Sequence, residues 1–261
     1  MAKRIESHQN RIFKWVKSLS LKKNRDKEGV FVAEGLRFIS EIPNEWCVKL
    51  FIVSEDFAKG QDISTYEKKA ETYIVSDELF TLVSDTESPQ GILAVCKKQE
   101  QPDETIWKKE APFFILAEEL NDPGNLGTVI RTADAAGVDG IFLSKGSVDV
   151  YNAKVLRATM GSIFHVPIVQ NVLLEDVASK MKENHISLYA AHLRGENFPY
   201  ELPLDKACSF LIGNEARGLS DKGASLCDCW VKIPMPGQAE SLNASMAAGL
   251  LMYEVVRQRL K

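Results

Sequence analysis

No apolar run in the 261-residue sequence approaches the roughly 20 residues that span a bilayer, which excludes a membrane-spanning helix and, with it, a membrane role. Cysteine is scarce and odd in number, with Cys47, Cys96, Cys208, Cys227 and Cys229 as the full set. The N-terminus is polar and basic, without a secretory apolar segment. That combination fits reduced thiols in a cytoplasmic protein better than a disulfide framework. Cys227 and Cys229 are the only close pair, with no second pair or nearby histidine, so no metal site is expected. Internal repeats and low-complexity tracts are absent. The Gly-x-Gly-x-x-Gly fingerprint is missing too, which argues against a nucleotide-dependent oxidoreductase, and a Gly-Lys-Ser/Thr phosphate loop is missing as well. Net positive charge is lacking: the formal value is −4, which argues against nucleic-acid binding by bulk charge.

What is present is unevenly distributed. Residues 1–27 carry nine Lys/Arg against two acids, a local charge of +7, whereas the remainder is 23 basic against 34 acidic. A basic arm on an acidic body is either a polyanion site or a solvated helix face. Hydrophobic residues make up 45% of the chain, enough for real cores in one large domain or two ordinary ones. The first hundred residues read as a small α/β unit. A helix carries Trp15, Val16 and Leu19; strands are predicted at 29–33, 48–53, 73–75 and 91–96; helices are predicted at 34–42 and 77–83, the latter capped by Ser76. Residues 97–112 are polar, charged and proline-bearing, which places a domain boundary near residue 104. Beyond it, apolar strands at 113–117, 140–143, 187–191, 209–212 and 230–233 alternate with amphipathic helices, the pattern of a mostly parallel α/β sheet with helices on both faces. A long last helix is predicted from Glu240 to Lys261.

Three loops follow predicted strands, where open α/β sheets bind ligands. The first is Asn121-Asp122-Pro123-Gly124-Asn125-Leu126-Gly127, running into a helix that carries Arg131 about two turns in. Asn125 can cap or open that helix, and Gly127, one turn before Arg131, leaves space for a phosphate or ribose beside the guanidinium; the alternative pairs Arg131 with Asp134 on the surface. The second loop is Gly213-Asn214-Glu215-Ala216-Arg217-Gly218, with a carboxylate where a ligand would sit. The third is Ile233-Pro234-Met235-Pro236-Gly237 followed by Ser241-Leu242-Asn243, with Ser241 a natural N-cap. The helix behind it is rich in small residues, Ala244, Ala247, Ala248 and Gly249, either for docking another chain or for packing within the domain.

As an ordered set, residues 121–137, 212–219 and 233–247 resemble the SpoU (TrmH-type) RNA ribose methyltransferases of the SPOUT superfamily. Phe31-Val32-Ala33-Glu34-Gly35 and residues 86–93 are similar to the substrate-binding domain often attached to that family. The resemblance implies an RNA substrate-binding domain at 1–104 and a SPOUT methyltransferase domain at 105–261, the latter with a trefoil knot, a rare exception to unknotted topology. It implies S-adenosylmethionine held in the knot loops, largely by backbone groups, near Leu193, Gly213, Ile233, Met235 and Leu242. It further implies a homodimer formed through the knot region, and RNA, most often ribosomal, as substrate.

The implied reaction moves a methyl group to a ribose 2′-hydroxyl. By the resemblance, Asn125, Arg131, Glu215, Ser241 and Asn243 carry the catalytic site. Arg131 is either the base or, since arginine ordinarily keeps its proton, a bidentate phosphate clamp; a third reading lets Glu215 act through water. RNA contacts are expected from the basic arm (Arg11, Lys14, Lys22, Lys23, Arg25) and from the i, i+3 pair Lys154 and Arg157. The rival function is a non-catalytic RNA-binding protein with a vestigial methyltransferase domain.

Overall fold

The structure is a computed structural model that describes residues 2–100 and 102–260. Its contacts divide the chain into two compact units, one built from residues 1–99 and 151–164, the other from 100–150 and 165–261. No helix among the described residues is long and apolar enough to cross a membrane.

The first unit carries strands β1 (Lys3–Ile5), β2 (Val30–Glu34), β3 (Val48–Ser54), β4 (Glu71–Val75) and β5 (Ile92–Lys97) in the order β1-β4-β3-β5-β2. β1, β4 and β3 run parallel, and β5 pairs antiparallel with both β3 and β2. Its helices are α1 (Arg11–Ser18), α2 (Lys22–Glu28), α3 (Leu36–Ser40), α4 (Glu55–Gly60), α5 (Ser64–Lys69) and α6 (Asp77–Val83). Asn10 caps α1 by accepting from Ile12 N at 2.8 Å, and Ser76 caps α6 as expected, accepting from Leu79 N at 3.3 Å. Phe13, Val16 and Leu19 bury the inner face of the first helical segment in one core with Ile52, Phe80 and Leu93.

Residues 151–164 pack with this unit although they lie far along the chain. Tyr151 stacks on Phe31 with ring centroids 4.8 Å apart, and Phe164 sits 5.4 Å from Phe38 and 5.0 Å from Trp46. Between them lies α8, Ala153–Thr159.

The second unit holds β6 (Phe113–Ala117), β7 (Gly140–Ser144), β8 (Ile168–Val172), β9 (Ser187–Ala191), β10 (Cys208–Ile212) and β11 (Cys229–Val231), all paired in parallel in the order β11-β9-β10-β6-β7-β8. β6, β7 and β10 are buried along their whole length, which is why they read as unbroken apolar runs rather than alternating ones. Its helices are α7 (Pro123–Ala135), α9 (Leu174–Glu183), α10 (Asp221–Ser225) and α11 (Ala244–Arg259). Leu174, Val177 and Met181 of α9 pack on the face carrying Phe114 and Leu116, each such side chain contributing about 1.5–3 kcal/mol by burial. Arg259 of α11 lies over the ring of Phe113, which points the other way from β6, so helices cover both faces. From β6 the chain winds outward through β7 and β8, then returns to lay β10 against β6. The carboxyl ends of β6 and β10 thus form the switch point, where ligands bind in such sheets.

The last helix begins at Ala244, not Glu240, and its N-cap is Asn243, not Ser241: Asn243 Oδ1 accepts from Ser245 N at 2.9 Å and Met246 N at 3.3 Å. The expected terminal residue of that helix, Lys261, lies outside the described residues. Two of the small residues of α11, Ala248 and Gly249, pack within the chain, and Ala244 and Ala247 line a pocket. Ala248 is fully buried, and a side chain at Gly249 would meet Thr132 of α7 at 3.7 Å. The free face carries larger groups, Met246, Leu250 and Tyr253, each about half exposed.

Candidate active site

Ala117 and Ile212 are register partners at the ends of β6 and β10, so the first and second loops leave the sheet side by side. Gly213 follows at once. A Cβ there would lie 2.3 Å from Gly218 C and from Leu219 N, so only glycine lets the second loop close back on itself. Asn214 builds that closure. Its backbone N–H donates to Gly218 O at 3.0 Å, its Oδ1 accepts from Ala216 N and Arg217 N, and its Nδ2 donates to Glu119 O at 2.8 Å. Arg217 forms an ion pair with Glu119 beside it.

Glu215 fastens the second loop to the first. Its carboxylate accepts from Asn121 N at 3.2 Å, Asp122 N at 2.9 Å and Asn125 Nδ2 at 3.2 Å. Partial burial pushes its pKa up, but these donors and its own N–H outweigh that and hold it below the ordinary carboxylate value. An ionised carboxylate so occupied is a clip and a poor proton acceptor, which disfavours the reading of Glu215 as a base through water. The stability it contributes is present above its ordinary pKa of 4.5 and is lost as pH falls through its lower folded value. The melting-temperature advantage of the wild type over Glu215→Gln should therefore be full at neutral pH and shrink only below about pH 4.5. An advantage that is flat down to about pH 3 would remove the clip.

Asn125 is the hub. Besides donating to Glu215, its Oδ1 accepts from Asn243 Nδ2 at 2.9 Å and Ser245 Oγ at 3.4 Å, which brings in the third loop. Asn125 does not cap α7. Asp122 does, accepting from Asn125 N at 2.7 Å ahead of Pro123 at the first helical turn. The Asp-Pro start signal was available in the sequence, and so was the Asn-x-x turn of Asn214. Both residues escaped the sequence reading.

Ser241 joins Glu215 and all five expected cofactor residues, Leu193, Gly213, Ile233, Met235 and Leu242, around one cavity of about 250 Å³. Ala191 and His192 from the end of β9 complete its wall. His192 is held below its ordinary pKa by burial and by the nearby Arg194, and its ring lies 4.4 Å from that of Trp230. Burial pushes the thiols of Cys208 and Cys227 up to about 12, which keeps both protonated and unreactive at neutral pH.

Arg131 stands apart. It is exposed on α7, six residues past Asn125 and so about 240° around the helix. Its guanidinium makes no hydrogen bond or ion pair among the described residues, because Asp134 is taken by His165 at 3.0 Å. Gly127 is buried, so it does not clear the surface beside Arg131. Among the expected RNA contacts, Arg11, Lys14, Lys22, Lys23 and Lys154 are exposed. Arg25 is different: it is buried and donates to Leu19 O at 2.9 Å and Ser20 O at 2.7 Å, bracing the turn between α1 and α2. Arg157 is half-buried and paired with Asp85 at 3.3 Å.

A parallel, doubly covered sheet with a pocket lined by the second and third loops at its switch point defines a class of α/β enzymes that bind a small cofactor there. The chain belongs to the SpoU rRNA methylase family, whose model matches residues 112–253, and residues 10–94 match the MRM3-like substrate binding domain. It is 36% identical to the 23S rRNA (guanosine(2553)-2'-O)-methyltransferase RlmP of Bacillus subtilis, over 97% of this chain and 99% of that one. It is 31% identical to a 23S rRNA (uridine(2479)-2'-O)-methyltransferase of Streptomyces viridochromogenes, over 99% and 93%. Among solved structures, the AdoMet-bound rRNA methyltransferase of Sinorhizobium meliloti matches with TM-score 0.86 at 29% identity, covering 100% of this chain and 99% of that one. The AdoMet complex of AviRb from Streptomyces viridochromogenes matches with TM-score 0.86 at 28% identity, covering 97% and 99%.

Proposed function

We propose that this chain transfers a methyl group from S-adenosylmethionine to a ribose 2′-hydroxyl of RNA, with ribosomal RNA as substrate, in the cytoplasm. The observation that carries this reading is that the second and third loops line one pocket at the switch point while Asn125 of the first loop is hydrogen-bonded to both of them. The names of the relatives support the reaction and the RNA class.

The pocket fits the cofactor. Leu193, Ile233, Met235 and Leu242 offer apolar walls for an adenine and a methylene chain, and the glycine-based turn of Gly213 exposes backbone to the polar edges. Bound there, S-adenosylmethionine supplies a methyl group already activated on a sulfonium. Asn125 and Asn243 fix the loops and present amide groups to the ribose. Ser241 shapes the pocket rim. Arg131 holds an RNA phosphate bidentately, which aligns the 2′-oxygen, and the hydroxyl proton passes to a phosphate oxygen of the RNA itself.

Because Arg131 points away from Asn125, a single chain does not bring it into the cluster. We place it in the site of a second copy, in a homodimer formed through the knotted C-terminal region. The exposed stripe of Met246, Leu250 and Tyr253 on α11 is the apolar surface for that contact, and Arg131 and Leu250 flank the point where Thr132 meets Gly249. Residues 1–104 serve as the RNA substrate-binding domain and residues 105–261 as the methyltransferase domain. Arg11, Lys14, Lys22, Lys23 and Lys154 supply phosphate contacts.

The test uses purified protein, methyl-labelled S-adenosylmethionine and protein-free ribosomal and transfer RNA, with the product digested to nucleosides. Label should appear in a 2′-O-methyl nucleoside from ribosomal RNA. RNA binding without transfer would instead establish the non-catalytic rival, and label on a base would sink the ribose assignment.

A further inference from the structure

The two motifs of the first unit, Phe31–Gly35 and residues 86–93, and the residues that flank them take no part in the pocket above. They are nevertheless laced to each other. Glu34 accepts from Asp85 N at 2.9 Å, from Thr86 Oγ1 at 2.8 Å and from Ser84 Oγ. Gly35 N donates to Ile92 O at 3.1 Å, and Leu36 N donates to Gln90 Oε1 at 2.8 Å.

Two glycines with positive φ permit this lacing. Gly35 has φ +98°, and a Cβ on it would press within 3.2 Å of Gln90 Oε1. Gly91 has φ +78°, and a Cβ there would lie 2.7 Å from Ser54 Oγ and 2.9 Å from Phe57 Cβ. Both positions disfavour side chains on conformation, and Gly91 also on space.

The result is an open groove of about 700 Å³ between the start of α3 and the end of α4. Leu36 and Phe57 give it an apolar surface, and Gln61 and Gln90 give it amide edges. Gln90 spends Oε1 on Leu36 N, which leaves Nε2 as a donor. Arg37 lines the groove with a guanidinium that makes no hydrogen bond or ion pair among the described residues. The acid on the rim, Asp56, is paired with Lys59 at 3.2 Å, so Arg37 sets the local charge as positive.

We propose that this groove binds one unpaired nucleotide of the RNA substrate, with the base against Leu36 and Phe57, the amides of Gln61 and Gln90 on the base edge, and Arg37 on the phosphate. The proposal rests on the RNA methyltransferase reading above. An apolar surface, amide hydrogen-bonding groups and one free cation are the set that reads a splayed base with its phosphate. An isolated anion would leave the amides and the apolar wall unused.

The experiment uses the full chain and a 23S rRNA transcript carrying 4-thiouridine. Light-induced cross-links should map to peptides containing residues 36–37 or 56–61. Arg37→Glu should raise KM for RNA at least about tenfold, with kcat and the Kd of S-adenosylmethionine unchanged. Cross-links confined to other surfaces, or an unchanged KM, would overturn the groove. Should the wild type transfer no methyl group, the reaction assignment fails on its own. The cross-link map and the RNA Kd of Arg37→Glu then still decide the groove, because neither needs turnover.

Discussion

Replacing Arg131 by alanine is expected to lower methyl transfer by at least about 10²- to 10³-fold while the Kd of S-adenosylmethionine stays within about twofold. The reasoning is geometric. The cofactor pocket is closed by the second and third loops and by the Glu215–Asn125–Asn243 chain of hydrogen bonds, and Arg131 contributes to none of them. Removing an exposed side chain without partners leaves the fold and the pocket intact. On the proposed role, what is lost is the clamp that aligns the RNA ribose, an interaction used when the oxygen attacks. Calorimetry with the cofactor, followed by single-turnover transfer, separates the two. Equal loss in both would show that Arg131 belongs to the pocket and not to the substrate.

The second large effect is the opposite one. Gly213→Ala should weaken S-adenosylmethionine at least about 100-fold, roughly 2.7 kcal/mol, while the strands keep their pairing. The added methyl would collide with the backbone at Gly218 and Leu219, and backbone cannot rotate away as a flexible side chain can. The loop must open, and Glu215 loses its register with Asn121 and Asp122. Circular dichroism should remain that of the folded wild type. Unchanged cofactor affinity would mean that the loop relaxes freely and that its closed form does not shape the pocket. The two variants also test each other. If the proposed dimer forms, a statistical mixture of Arg131→Ala and Gly213→Ala chains makes half the dimers mixed, and each of these has one site with both a sound pocket and an arginine. Activity should return to about a quarter of wild type. A mixture as inactive as its components would place Arg131 in its own chain's site.

Much of this arrangement was legible in the chain. Strands buried on both faces read as apolar runs, so Phe113–Ala117, Ser187–Ala191 and Cys208–Ile212 lie where expected, within a residue. β1 has three residues and one buried side chain, and β8 is a half-exposed edge strand; neither carries enough periodicity to stand out. Caps were harder. Asp122 and Asn243 hold helix ends for which Asn125, as a cap or an opening residue, and Ser241 are also candidates, because several capping residues stand close together and only geometry chooses among them. The hydrogen bonds joining Glu215, Asn125 and Asn243 cross some 90 to 118 positions of chain, a separation at which no local pattern exists. Arg25 shows the limit of counting charge: within a basic arm, one cation faces inward to satisfy carbonyls.

The aromatic layer that Tyr151 and Phe164 add to Phe31, Phe38 and Trp46 bears on how such a protein can be rearranged over evolutionary time. A gene segment ending near residue 100 would carry the first unit's sheet but not the residues that cover Phe31, which is fully buried in the intact chain. Exchange of the first unit between related genes therefore has to bring a stretch matching residues 151–164 with it, because that stretch supplies the rings that cover Phe31.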